Sequence, residues 1–379
     1  MTHRSTRRKA AVAVTGLAIL AVVLAGCGGS GPNNKQNSLH PSGVEAHKIY
    51  NLFTPIAFVA VVIGILVIGG VFYVAIRFRQ RPGRDDRPKQ IHGSTPLEIG
   101  WTLIPAVILA VVAVPTVSTI FDLHSEPGPG AMTVTAIGKQ WWWQFDYPKD
   151  SGGKQVVVAD ELRVPVGRTI KVNLRACDAS LGTGAAFCNV IHSFWVPELA
   201  GKTDVVPGHD NWMKFTAKQT GTFLGQCAEY CGLSHANMRF RVIVQSQSDF
   251  DDWLAGQRAG PAVSLEEAGD AGKLFTTKFG CTNCHTTSDS SLSTYGPNLT
   301  HFASRSTFAS GYYPLNRTNL VNWILNAPGM IPMQSQDCRL PPPATCVGMP
   351  SFTENTPKGL PVMTRQEAET LADYLLSLK

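Results

Sequence analysis

The sequence predicts a multi-domain chain: a two-helix transmembrane hairpin, then an all-β Greek-key sandwich, then a small all-α domain. Three observations carry this reading. Two long uncharged runs stand near each other, short β-rich segments follow them, and helical periodicity takes over only toward the C-terminal end. A mean hydropathy of +0.01 over 379 residues hides the partition by averaging apolar runs with polar ones. Charge is partitioned as well. Residues 1–130 hold 12 Lys+Arg against 6 Asp+Glu, the whole of the net +6, while residues 131–379 hold 21 of each. A nucleic-acid-binding domain would gather its excess on a folded surface. Here the excess lies beside apolar runs, so the expected partner is a membrane and not a nucleic acid.

The first element is an export signal over 1–26: a basic stretch (HRSTRRK, 3–9), an apolar stretch (10–24), then Leu24-Ala25-Gly26-Cys27. This ending resembles a bacterial lipobox, which implies cleavage before Cys27 and lipidation of its thiol. An uncleaved first membrane helix is the alternative. Ile49–Ile76 and Ile99–Phe121 are uncharged for 28 and 23 residues, each above the roughly 20 a helix needs to cross the hydrocarbon core. They predict helices over about 50–78 and 97–121, within a membrane-anchoring region of 27–125. Between them, Arg77, Arg79, Arg81, Arg84, Arg87 and Lys89 outnumber Asp85 and Asp86, so the connecting loop stays cytoplasmic by the positive-inside rule. Everything after about residue 125 is then extracytoplasmic. Pro55, Pro105 and Pro115 free backbone groups that neighbouring helices can satisfy, which points to packing against a partner.

Residues 126–245 read as the sandwich. MTVTAIG, KQVVVA, RTIKVNL, NWMKFT, GTFLGQ and RFRVIVQ are β-rich, and Gly, Pro, Asp and Asn punctuate them. Residues 246–265 are polar with Gly and Pro and read as a linker. In 266–379, GDAGKLFTTK, NLVNWILN and TRQEAETLADYLLSL carry helical periodicity, as in a small domain wrapped round something other than its own thin core.

Within the sandwich, Cys227, Cys231, His235 and Met238 fall inside twelve residues. Soft sulfur with imidazole selects copper. One Cys with two His and a weak Met would make a mononuclear blue-copper site; a second Cys four residues away allows two thiolates to bridge two metals. A further imidazole must then come from elsewhere. His192, about two strands earlier, stands where cupredoxin-like folds keep their first histidine. A disulfide between Cys227 and Cys231 is the plain alternative for an exported protein, and a lone His192 would ordinarily be a hydrogen-bonded core histidine.

The loop, the His192-Ser-Phe-Trp195-Val-Pro197 stretch, the Gly138-Lys-Gln-Trp141-Trp-Trp143 segment and the preceding hairpin together resemble subunit II of haem-copper cytochrome c oxidases, over residues 45–245. The resemblance implies a dinuclear CuA centre bridged by Cys227 and Cys231, with His192 and His235 as terminal ligands. Met238 and the backbone carbonyl of Glu229 would be the weak ligands, and the Glu229 side chain would reach a magnesium ion shared with the catalytic subunit. Trp141 matches the tryptophan through which electrons arrive. Glu98, three residues before Trp101, matches the glutamate at the mouth of a proton channel in the neighbouring subunit; an ordinary interfacial carboxylate is its plain reading. Asn189 departs from the family, which often has Asp three residues before the first His ligand, so an acidic docking site for a separate cytochrome is weakened.

Cys281-Thr-Asn-Cys284-His285 is the C-x-x-C-H pattern of covalent haem attachment. A redox or disulfide C-x-x-C is disfavoured because no βαβ unit accompanies it. The segment resembles a class I cytochrome c, with Gly296-Pro297-Asn298-Leu299 as the loop after the haem motif and 364–379 as the closing helix. A methionine sixth ligand suits electron delivery to copper. Met330, Met333, Met349 and Met363 compete, and Met349, followed by Pro350 and Phe352, stands where that family keeps it. Four cysteines remain in local pairs, Cys177 with Cys188 and Cys338 with Cys346, on an oxidising side; two disulfides are expected.

The function these resemblances imply is subunit II of a haem-copper oxidase in a bacterial cytoplasmic membrane. Electrons would arrive from cytochrome c or a bc-type complex, pass from haem c to CuA, and reach subunit I, where oxygen is reduced and protons are moved. Alternatives are the copper subunit of a nitric oxide or nitrous oxide reductase and a membrane-anchored electron carrier without enzymatic role. A quinol oxidase subunit II would lack the copper ligands.

Overall fold

The computed structural model describes residues 36–80, 83, 90, 92–176, 190–289, 291, 295–333, 347–353 and 359–379. The expected signal segment, Cys27, Asn189 and the paired Cys177, Cys188, Cys338 and Cys346 lie outside the described residues.

Helices α1 (Val44–Arg77) and α2 (Thr95–Leu123) are long and apolar enough to cross a membrane, and their apolar middle stretches are not buried within the chain. At the sandwich side, α1 starts and α2 stops a few residues beyond the sequence-based bounds, because polar groups of the sandwich hold these outer turns. Glu45, in the first turn of α1, accepts a 2.7 Å hydrogen bond from Thr216 N. At the end of α2, Lys214 Nζ donates to the carbonyls of Asp122 (2.9 Å) and Ser125 (2.6 Å), the free C-terminal carbonyls a cation satisfies best.

The sandwich is built from β1 (Met132–Lys139), β2 (Trp142–Asp146), β3 (Val157–Ala159), β4 (Glu161–Pro165), β5 (Thr169–Arg175), β6 (His192–Trp195), β7 (Thr203–Val205), β8 (Asn211–Thr216), β9 (Gly221–Cys227) and β10 (Arg239–Gln245). One sheet runs β3-β2-β1-β5-β8 and the other β4-β10-β9-β6-β7. Alternation is clean in β5 and β10, whose every second residue is buried. The two inner faces meet through aromatic rings: Trp143 stands edge-on to Phe194 at 5.5 Å, and Phe194 lies 4.5 Å from Phe240.

The stretch read as a linker is in part a helix, α3 (Gln247–Arg258), capped by the Ser246 hydroxyl, which accepts from Asp249 N. Its apolar stripe is short but real. Phe250 is buried in the sandwich core, and Trp253 and Leu254 pack against it. Beyond it, a helical turn over Asp270–Lys278, then α4 (Arg317–Met330) and α5 (Arg365–Ser377) form the C-terminal helical unit, with the small strands β11 (Thr307–Phe308) and β12 (Tyr313–Pro314) between them. A capping box of Thr364 and Glu367 starts α5, and its buried face of Ala368, Leu371, Ala372 and Leu375 joins Leu320 and Ile324 of α4 in a second core.

Candidate metal centre and adjoining cavity

Strand periodicity delivers the first donors. In β9, Phe223 and Cys227 share the inward face, and Cys227 stands in register with Phe194 of β6. Two residues before Phe194, His192 points the same way into the core. Its ring lies on Gly138, where a Cβ would come within 2.8 Å of the imidazole, so only glycine leaves room for it. The loop from 228 to 238 then folds back: Ala228 N donates to Ser193 O, and Cys227 N to Met238 O.

These constraints gather the expected donor set. Cys227 Sγ lies 3.8 Å from Cys231 Sγ, 3.8 Å from His192 Nδ1 and 3.2 Å from Glu229 O. Cys231 Sγ lies 3.6 Å from His235 Nδ1 and 3.7 Å from Met238 Sδ. Two ligands bound about 2.2 Å from one ion at tetrahedral angles stand about 3.6 Å apart, so the spacing fits sulfur and imidazole ligands on ions shared between two thiolates. A disulfide would need about 2.05 Å; both cysteines are free. A hydrogen bond with Cys231 and a second with His192 hold the Cys227 thiol far below the usual thiol range, while sharing that proton pushes Cys231 above it. A metal ion, which binds thiolates, would displace the proton the two sulfurs share.

Trp141, buried at 6% exposure, closes one side of the loop; its Nε1 donates to Cys231 O at 2.9 Å, and Gln140 Nε2 donates to the same carbonyl at 2.7 Å. Gln140 is a contact that sequence reasoning did not single out, although it lies inside the quoted motif. On its other side, Trp141 lines a large, mainly apolar cavity that extends into the C-terminal unit.

Cys281, Cys284 and His285 line that cavity together with Phe279, Leu299 and Phe352. Burial raises the thiols of Cys281, to about 12, and Cys284, to about 11. His285 Nδ1 lies 2.7 Å from Pro297 O, so the ring donates there and leaves Nε2 with a free lone pair; burial lowers its proton affinity. Gly296 packs on this ring, where a Cβ would fall 2.5 Å from Cε1. Two adjacent thiols, a neutral imidazole and aromatic walls suit a flat apolar macrocycle. Met333, Met349 and Met363 all line the cavity, and Met349 N lies 3.3 Å from Met333 Sδ. They differ in what they pack on: Met349 belongs with the core of the helical unit, Met333 with that of the sandwich. Glu98 lines neither site; it is exposed and accepts from Ser94 N at 3.3 Å at the start of α2.

Comparison with known proteins now decides the family. Residues 33–119 match the model of the transmembrane domain of cytochrome c oxidase subunit II, and residues 132–246 match that of its periplasmic domain. Cytochrome c oxidase subunit 2 of Alkalihalophilus pseudofirmus is 33% identical over 96% of this chain and 96% of its own length. The chain belongs to the cytochrome c oxidase subunit II family. The subunit 2 proteins of Bacillus subtilis (30% identical, 81% of this chain, 86% of its own) and Bacillus sp. strain PS3 (34%, 81% and 85%) are further relatives. As a member of that family, the chain is a subunit of a cytochrome c oxidase complex, held in the membrane by α1 and α2 with the sandwich on the extracytoplasmic side.

Proposed function

We propose that this subunit II receives electrons on a covalent haem c and passes them through a dinuclear CuA centre to the oxygen-reducing subunit, in a complex that also translocates protons. The observation that carries the reading is the position of Trp141: one wall of the cavity with the C-x-x-C-H residues, and a hydrogen-bond partner of the cysteine loop. Bound haem and copper would supply one-electron carriers, which protein side chains alone do not. The chain's own residues do the rest. Cys281 and Cys284 would hold the macrocycle, and His285 and Met349 would offer nitrogen and sulfur donors to its iron. Cys227 and Cys231 would hold the coppers together with His192, His235, Met238 and the Glu229 carbonyl. Gln140 and Trp141, consecutive residues that both donate to the Cys231 carbonyl, would keep the loop from relaxing as charge changes.

On the same reading, the Glu229 carboxylate contributes to a magnesium site shared with the catalytic subunit, and Glu98 stands at the mouth of a proton path in that neighbour. Tyr230 and Leu233, at 75% and 56% exposure on the cysteine loop, give that neighbour an apolar surface to cover. Cys27 would carry the lipid anchor, and Cys177 with Cys188 and Cys338 with Cys346 would form disulfides. A cytochrome c or a bc-type complex would be the donor.

The test is to purify the native complex and measure copper, haem c by its alkaline pyridine spectrum, and ascorbate-driven oxygen uptake together. Two coppers and one haem c on this chain, with uptake, are expected. A chain without covalent haem would overturn the haem half, and one without copper the CuA half.

A further inference from the structure

Between the sandwich and the C-terminal unit lies a seam with two buried acids. Asp160, at φ 62° in the β3–β4 turn, and Glu161, the first residue of β4, are 4% and 3% exposed. Burying a carboxylate costs several kcal/mol unless hydrogen bonds replace its water. Segment 304–310 of the C-terminal unit supplies them to one oxygen of each acid. Glu161 Oε1 accepts from Ser306 N (2.8 Å), Ser306 Oγ (2.5 Å), Thr307 N (3.1 Å) and Thr307 Oγ1 (3.2 Å). Asp160 accepts from Trp143 N at 2.9 Å on one oxygen and from Ser310 N at 3.2 Å on the other. The Ser310 hydroxyl donates to the carbonyl of Trp141, and Arg163 Nη2 donates to Ser304 O at 3.0 Å. Ala309, Ser310 and Gly311 all have left-handed φ, of 52°, 57° and 70°. Such a run is held only where its surroundings over-determine it.

We propose that the β3–β4 turn is a permanent socket for segment 304–310, and that Glu161 and Ser310 are positioning residues that fix Trp141 between the cavity and the cysteine loop. Opening the seam would leave Glu161 without four donors and Asp160 without one, so a freely swinging domain is disfavoured. A closed seam also covers Trp141. A soluble electron-carrying protein then cannot reach the copper loop by that face, and its surface of contact is the C-terminal unit. This role in electron delivery rests on the function proposed above; the socket itself does not.

The experiment uses the full-length protein. Hydrogen exchange should show the amides of Ser306, Thr307 and Ser310 protected. Glu161→Ala should speed exchange at Ser306 and Thr307 by about tenfold or more, since hydrogen bonds to a charged group are being lost, and Glu161→Gln, which keeps an acceptor, should restore part of the protection. Ser310→Ala, a milder change, should slow haem-to-copper transfer after flash reduction while leaving both optical spectra unchanged. Wild-type amides exchanging like an open loop, or no response to Glu161→Ala, would overturn the socket. An unchanged transfer rate in Ser310→Ala would overturn the positioning role. Absence of covalent haem would instead remove the electron-path reading, and the exchange data would still decide the socket.

Discussion

The cysteine loop and the C-terminal cavity both present cysteine, histidine and methionine, yet they stand in opposite relation to their folds. The loop's donors sit on a sandwich with a packed aromatic core of its own, Trp143, Phe145, Phe194 and Phe240. Among the described residues, the C-terminal unit has two main helices beside a hollow walled by Phe279, Leu299, Phe352 and Met349. A preorganised site binds onto a fold, whereas a hollow domain has its group as part of the core. The difference predicts which region survives loss of its group.

The largest effect should follow Cys281→Ser combined with Cys284→Ser. Without covalent attachment, the C-terminal unit should lose its protease resistance and helical signal, while the sandwich keeps its protease resistance. If the double variant stays as resistant as the wild type, the cavity is not completed by its group and the contrast fails. Next comes Cys231→Ser, which should reduce bound copper from about two ions per chain to one or none, with a smaller shift in sandwich unfolding, because Cys231 is buried in the core but serine keeps nearly its size and leaves the aromatic packing in place. Collapse of the sandwich in this variant would show that the loop, too, depends on metal.

What was legible in the sequence followed distance along the chain. Cys227, Cys231, His235 and Met238 are near neighbours in the chain, so their spacing alone carries the site, and the same is true of Cys281, Cys284 and His285. The socket was not legible: Glu161 meets Ser306 across 145 residues, and a lone Asp-Glu pair reads as a solvated turn. Strands β2, β4, β6 and β7 are three to five residues long, too short to alternate visibly. Helix α3 was hidden by its polar composition, since its buried side rests on Phe250 with Trp253 and Leu254 beside it.

A smaller effect separates the methionines. Met349→Ala should abolish the low-spin optical signature of the haem, whereas Met333→Ala should keep it and loosen only the packing at the sandwich edge. The reverse pattern would transfer the axial role to Met333, which shares the cavity and lies against Met349.

The smallest expected effect concerns pH at the seam where the two regions meet. Burial pushes the Asp160 carboxyl up to about 7, against the opposing pull of the Trp143 and Ser310 amides and the Arg305 guanidinium, while Glu161 beside it adds to the rise. A carboxyl with an ordinary value near 3.8 in the unfolded chain and a raised one in the native fold takes up a proton on folding between those two values. Its contribution to stability is therefore full below about pH 4, declines as pH rises toward 7, and is lost above it. Unfolding of the C-terminal unit followed by denaturant at pH 5, 6, 7 and 8 should thus show a falling midpoint that levels off past neutrality. Asp160→Asn tolerates the left-handed backbone and keeps one acceptor oxygen, so it should fold and flatten this decline. If the variant retains the wild-type slope, the titrating group lies elsewhere, and the seam holds Asp160 ionised against Arg305.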